Sequence, residues 1–311
     1  MIKPLELAEK IISFSLKVKD AFKTDLETSF VASSFLLSQK SIPDISNISE
    51  DDNKSLKELH SEFKSISYDY ETLRLAFSYA YLNSLKEKDK VRVSTTPELS
   101  IIYLKEIVKT LYDNLKYEKV NVINPYSNNG VLTLALKNIG ISDESLLSIE
   151  ESKNFNILSK ALRDLSYSSY EVLDMLPIDS YRFDILVSDP FLDAVEDLLI
   201  FFEDYNMYAN LDAFIVVVLN NDFIRSRVFS DMIQKYKYAL VGVIEYPKDL
   251  LDGALDSSIV ILHNKLEPNK EFFRNVMPSV KEVDKNIENI KIIKDNLVKY
   301  LGDIENENNV N

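Results

Sequence analysis

Apolar residues recur at steps of three and four through the first 93 residues, as in Leu56, Leu59, Phe63, Ile66 and Tyr70, which is the spacing of one helix face. This stretch is expected to be a helical domain. Within it, residues 41–55 gather Pro, Ser, Asn and acidic side chains without period, which predicts a surface loop joining two helical parts. The pattern changes at Thr96. Thr96-Pro97 predicts a helix start, because Pro at the first helical position loses no hydrogen bond and Thr can cap free N–H groups. Leu104, Ile107, Val108, Leu111, Tyr112 and Leu115 then fall on one face. Short β-rich runs alternate with helical stretches after that, at 120–124, 146–150, 171–173, 183–188, 213–220, 239–246 and 257–263. Strands apolar on both faces and separated by helices imply a mostly parallel α/β sheet of seven strands covered on both sides. The gap at 247–256 is too short for a helical crossover, so the seventh strand is expected to be antiparallel to its neighbour. Ser279 to Glu282 fits a capping box, followed by an amphipathic helix through Val283, Ile287, Ile290, Ile293, Leu297 and Leu301, with a frayed tail behind it. The expected domains are a helical unit at 1–93, the α/β unit at 94–268, a helical segment at 269–301 and a tail at 302–311.

Composition narrows the chemistry. The 311 residues contain no cysteine and two histidines, His60 and His263, which excludes disulfides, thiolate zinc sites, cysteine nucleophiles and most histidine-based triads. No metal is expected. The N-terminus lacks an apolar signal core, and the longest apolar run, Ala213 to Leu219, is far below the roughly 20 residues that span a bilayer. A cytoplasmic protein without membrane contact is expected. Net charge is −14. Residues 1–93 hold 14 of the 36 Lys+Arg and 15 of the 50 Asp+Glu, leaving 22 against 35 in residues 94–311, a net −13. Between Glu171 and Asp212 there are eleven acidic residues and one basic residue, Arg182. Such a face repels phosphates. The candidate basic patches are Lys86, Lys88, Lys90 and Arg92, and Arg225, Arg227, Lys235 and Lys237.

In open α/β sheets ligands bind beyond the carboxyl ends of the strands. Four segments close the first four strands. The first, Asn124-Pro125-Tyr126-Ser127-Asn128-Asn129-Gly130, leads from a strand into a helix and combines Gly with Asn, the residues that best tolerate positive φ. An ordinary strand–turn–helix connection would use the same residues. Glu150 ends the second strand 20 residues after Gly130, near the spacing at which an acidic side chain accepts from ribose hydroxyls. Asp174 follows the third run, and Ser188-Asp189-Pro190-Phe191 close the fourth.

Taken in order, Thr96-Pro97, NPYSNNG, SIEE, VLDML, FDILVSDPF and AFIVVVLNNDF resemble the class I S-adenosylmethionine-dependent methyltransferases. More narrowly, the set resembles the adenine-specific DNA methylase family that includes type I modification subunits, and a short stand-alone bacterial branch, the YtxK-like proteins. The likeness runs from about Leu73 to Ser279. It implies a Rossmann-like seven-stranded methyltransferase sheet after a helical N-terminal domain, and S-adenosylmethionine as cofactor. It implies that Thr96 and Pro97 pack near the methionine part of the cofactor, that Asn124 to Gly130 form the cofactor loop, that Glu150 holds the ribose and that Asp174 lies near the adenine. In the family tetrad a polar side chain and a carbonyl accept from the target amine while an aromatic stacks on an extruded base. Ser188, Asp189, Pro190 and Phe191 occupy those positions.

The match departs at three places. Asn124 stands where the family usually has Asp, Asn128 where a glycine is usual, and Asp189 where the tetrad has its first proline. Asp189 removes a fixed φ and sets a carboxyl beside the reaction centre. The reading is a methyltransferase of the adenine-specific DNA methylase family, with DNA as a weakly bound partner implied by resemblance. The rivals are a scaffold or regulatory protein that has lost catalysis and works through a protein partner, and a methyltransferase acting on a small molecule or a protein.

Overall fold

The computed structural model describes residues 2–85, 96–176, 181–192, 194–250, 256–265 and 272–308. The basic patch at 86–92 lies outside them. Eight strands among these residues form one sheet in the order β3-β2-β1-β4-β5-β7-β6-β8. They are β1 (Val122–Pro125), β2 (Leu146–Ile149), β3 (Glu171–Leu173), β4 (Phe183–Ser188), β5 (Ala209–Asn220), β6 (Tyr238–Glu245), β7 (Ser257–Asn264) and β8 (Phe273–Val276). β1, β4 and β5 are parallel, whereas β7 runs antiparallel to both β5 and β6, as the short connection before it requires. β6 is thereby parallel to β5, and its carboxyl end lies on the same sheet edge as that of β4.

An eighth strand was not expected from the pattern. β8 pairs with β6 in parallel, setting Phe273 opposite Gly242. The Phe273 ring occupies the space that a Cβ at Gly242 would need. The pairing depends on a contact between residues far apart in sequence, so the short segment carries no sign of it.

The chain forms two compact units, Met1–Thr95 with Ser127–Glu144 and Ser148–Met175, and Thr96–Tyr126 with Ser145–Leu147 and Leu176–Asn311. In the first, α1 (Pro4–Phe22), α2 (Leu26–Ser38), α3 (Glu50–Lys64) and α4 (Tyr70–Ser84) pack around Leu7, Ile11, Phe14, Phe30, Leu56 and Phe77. α4 also packs on α6 (Val131–Asn138), and α2 on α7 (Lys153–Leu165). Two expectations change here. The surface loop is shorter than 41–55, because Ser49 accepts from the Asp52 N–H at 3.1 Å and starts α3 at Glu50. The periodic run from Leu56 to Tyr70 is two helices, since Asp69 accepts from Thr72 N–H at 2.7 Å and opens α4.

The second unit holds α5 (Glu98–Asn114), α8 (Val195–Asn206), α9 (Asn221–Ile224), α10 (Arg227–Tyr236) and α11 (Val283–Asn308) with β1 and β4–β8. α11 packs on α5 but with a different face from the one its apolar stripe predicts. Asn286 and Asn289 are buried, while Val283 and Ile287 are 64% and 61% exposed. Asn286 accepts from Tyr103 at 2.8 Å and donates to the Ser279 and Glu282 carbonyls, bonds an aliphatic side chain cannot make. Ser279 does not form a capping box, because the helix begins at Val283 and the serine hydroxyl donates to Asp249. The helix continues past Leu301 to Asn308.

Candidate functional site

Within the first unit the cofactor-loop candidates converge. Asn128 has φ 52° and Gly130 φ 82°, both in the left-handed region, as Asn and Gly permit. Tyr126, which begins the turn after β1, is also left-handed at φ 52°. A Cβ on Gly130 would lie 2.8 Å from Ser159 Oγ and 2.9 Å from its Cα, so the close approach of α7 requires this glycine. Asn129 has a separate task, accepting from Val131 N–H at 3.2 Å at the entry to α6.

Glu150 is 5% exposed. Its Oε2 accepts from the Asn128 N–H at 2.6 Å and its Oε1 from the Ser152 N–H at 2.9 Å. Burial pushes the carboxyl above the usual carboxylate range, and the two N–H groups oppose that. The Glu150 N–H donates to the Leu173 carbonyl at 2.9 Å, and Asn156 bridges the carbonyls of both residues. The ends of β2 and β3 are joined in this way, with Asp174 exposed in the following turn. The Ser127 hydroxyl is buried and has no hydrogen-bond partner among the described residues.

The tetrad candidates belong to the second unit. Asn124 and Ser188 are fully buried, Pro190 is buried, and Phe191 is half-buried with a left-handed φ of 50°. Ser188 Oγ donates to the Pro125 carbonyl at 2.6 Å, joining the carboxyl ends of β1 and β4 where the strand order reverses. Asp189 is 4% exposed. Burial raises its carboxyl to about 7, opposed by a hydrogen bond from the Thr96 hydroxyl.

That bond corrects the role expected of Thr96. Pro97 is the residue flanking α5, the helix begins at Glu98, and no side chain caps it. The Thr96 hydroxyl is directed to a carboxyl more than ninety positions along the chain. Two further residues were missed. Tyr246, one residue past β6, feels the Asp189 charge, and Ser100 of α5 lies beside it. Position alone could have suggested Tyr246, since it follows a strand that ends on the ligand-binding edge.

No family model and no curated protein matches the sequence. Solved structures do match. A Listeria monocytogenes protein assigned to the class I S-adenosylmethionine-dependent methyltransferases superposes with a TM-score of 0.74 at 15% identity, over 94% of this chain and 98% of that one. The fold is that of the class I S-adenosylmethionine-dependent methyltransferases. The methyltransferase subunit of a Streptococcus thermophilus type I restriction-modification system matches with a TM-score of 0.55 at 13% identity, over 78% of this chain and 62% of that one. A modification subunit assigned to a type I restriction enzyme in Vibrio vulnificus gives 0.52 at 13% identity, over 81% and 61%. The methyltransferase fold places a strand-order reversal between β1 and β4, and both tetrad and loop segments lie at strand ends flanking it. Among the described residues no helix is long and apolar enough to cross a membrane.

Proposed function

We propose that this chain is an S-adenosylmethionine-dependent methyltransferase acting in the cytoplasm. The observation carrying the reading is the Glu150 carboxylate fixed against a loop with three left-handed residues, Tyr126, Asn128 and Gly130. Non-glycine residues at positive φ cost energy and gather where a ligand must be approached closely. Each Glu150 oxygen accepts one N–H and keeps a lone pair, which suits the two donor hydroxyls of a ribose. The buried Ser127 hydroxyl adds a donor on the same loop. These residues fit the nucleoside part of the cofactor, which when bound supplies an electrophilic methyl group on a sulfonium.

In the second unit Ser188 donates to Pro125 and retains its own lone pairs, and Phe191 offers a half-exposed ring. This supports capture of a target amine near Phe191. Adenine in DNA as that target rests on resemblance and on the two restriction-modification neighbours, and the net −13 of residues 94–311 weighs against it. The scaffold reading, with a protein partner, draws on the full burial of Ser188.

Titration calorimetry with S-adenosylmethionine and S-adenosylhomocysteine tests the proposal. Ligand at about 100 times its Kd is expected to stabilise the fold by roughly 2.7 kcal/mol. No heat and no shift in Tm at millimolar cofactor would leave the scaffold reading.

A further inference from the structure

Ser100, Tyr246 and Asp189 form a polar cluster in the second unit that the cofactor loop does not use. Ser100 is fully buried and Tyr246 is 7% exposed, yet neither hydroxyl has a hydrogen-bond partner among the described residues. A serine inside a helix ordinarily bonds the carbonyl one turn back, and Ser100 does not. Burial first, and the Asp189 charge second, hold the Tyr246 phenol well above its ordinary range, while Ser100 beside it acts the other way. A buried hydroxyl left unpaired costs about 1–3 kcal/mol, and two of them facing a carboxyl mark a place where a polar group belongs.

What faces that place defines the group. The Ser100, Tyr246 and Asp189 oxygens can all accept hydrogen bonds, and one becomes negative on losing its proton. A cation with several N–H donors satisfies all three. An anion would meet the carboxylate, and a neutral ring amine would leave its charge unbalanced. The chain around the cluster agrees, since residues 171–212 carry eleven acidic groups against Arg182 alone. Resting on the methyltransferase reading, we infer that Asp189, Ser100 and Tyr246 form a subsite for a primary ammonium group.

A cation held at Asp189 favours the ionised carboxyl, so binding at pH 6 releases a proton. The groups facing Asp189 assign that proton. Thr96, ahead of α5, only donates a hydrogen bond, and Tyr246, after β6, stays neutral. The ammonium can belong to a separate amine target or to the α-amino group of the cofactor.

The test is calorimetric titration of the full chain at pH 6, in two buffers of different ionisation enthalpy. The probes are 1,4-diaminobutane, S-adenosylmethionine and 5′-methylthioadenosine, which is the nucleoside without the amino acid. Diamine binding with proton release, weakened tenfold or more in Ser100→Ala, Tyr246→Phe and Asp189→Asn, is expected and identifies a target amine. Melting curves of the three variants confirm that each is folded. If S-adenosylmethionine releases the proton and is weakened by the same changes, while methylthioadenosine is not, the subsite holds the cofactor's own ammonium. If the diamine binds in this way and S-adenosylmethionine does not bind at all, the subsite stands and the methyltransferase reading fails. Absence of proton release with every probe, or affinities unmoved by all three substitutions, overturns the inference.

Discussion

Glu150 Oε2 accepts the Asn128 backbone N–H at 2.6 Å, so a carboxylate at the end of β2 holds a left-handed residue of the loop after β1. The side chain that would bind the ribose also shapes the loop on which the nucleoside would lie. Glu150→Gln keeps the size of the side chain but replaces one acceptor oxygen with an NH2 group, which cannot accept from both Asn128 and Ser152. S-adenosylmethionine affinity is expected to fall by tenfold or more, with a loss of about 1–3 kcal/mol in stability. Calorimetry and urea unfolding on the same preparations check the two effects.

Gly130 is the position where a single methyl group does most harm. Its φ of 82° and the 2.8 Å approach of Ser159 Oγ leave no space for a Cβ. Gly130→Ala should destabilise the chain by about 1–3 kcal/mol from the backbone alone, and by more if Ser159 cannot move. The double change Gly130→Ala with Ser159→Gly should recover part of the loss in chemical unfolding, because it removes the clash and leaves the strained φ.

Asp189 makes stability fall as pH rises. Its folded value is raised to about 7 from 3.8, so the folded chain holds the proton more tightly than the unfolded one. The stabilisation is complete below the unfolded value and is lost between about pH 4 and pH 7. In Asp189→Asn this slope should vanish from urea midpoints measured across that range. An unchanged slope would show that the carboxyl is not the titrating group.

His263 acts in the opposite direction. It is 1% exposed, stacked on Phe214 at 4.3 Å, with Nδ1 3.0 Å from the Tyr300 hydroxyl. Burial first, and Lys265 second, lower it to about 4 from 6.5. The unfolded chain takes up the proton more readily, so stability is lost as pH falls from about 6.5 to about 4. His263→Phe should flatten that acid-side loss. Comparing it with Asp189→Asn separates the two slopes where they overlap.

Duplex DNA should bind weakly at physiological salt. With a net −13 over residues 94–311, few phosphates can be neutralised, and log affinity should fall only shallowly with log salt. Fluorescence anisotropy over a salt series tests this. A nanomolar complex with a steep slope would point to a basic surface elsewhere on the chain.

The sequence by itself determined the parts of this protein governed by neighbours along the chain. Strands apolar on both faces, alternating with helices, are enough to require a parallel sheet covered on both sides, and the short gap after β6 is enough to reverse β7. Asn128 and Gly130 announced the left-handed turns because their backbone freedom is a property of the residue. Tertiary structure decided what depends on partners distant in sequence. Thr96 reads locally as a helix cap, but its hydroxyl is claimed by Asp189, and Ser188 reads as an acceptor for a ligand, but donates to Pro125. Val283 and Ile287 read as core, yet Asn286 and Asn289 take their place because the buried surface they meet carries a phenol and free carbonyls. Periodicity reports how apolar a face is. Which face is buried depends also on hydrogen bonds that only the folded chain offers, since an unpaired polar group inside costs about as much as a buried methyl or two gain.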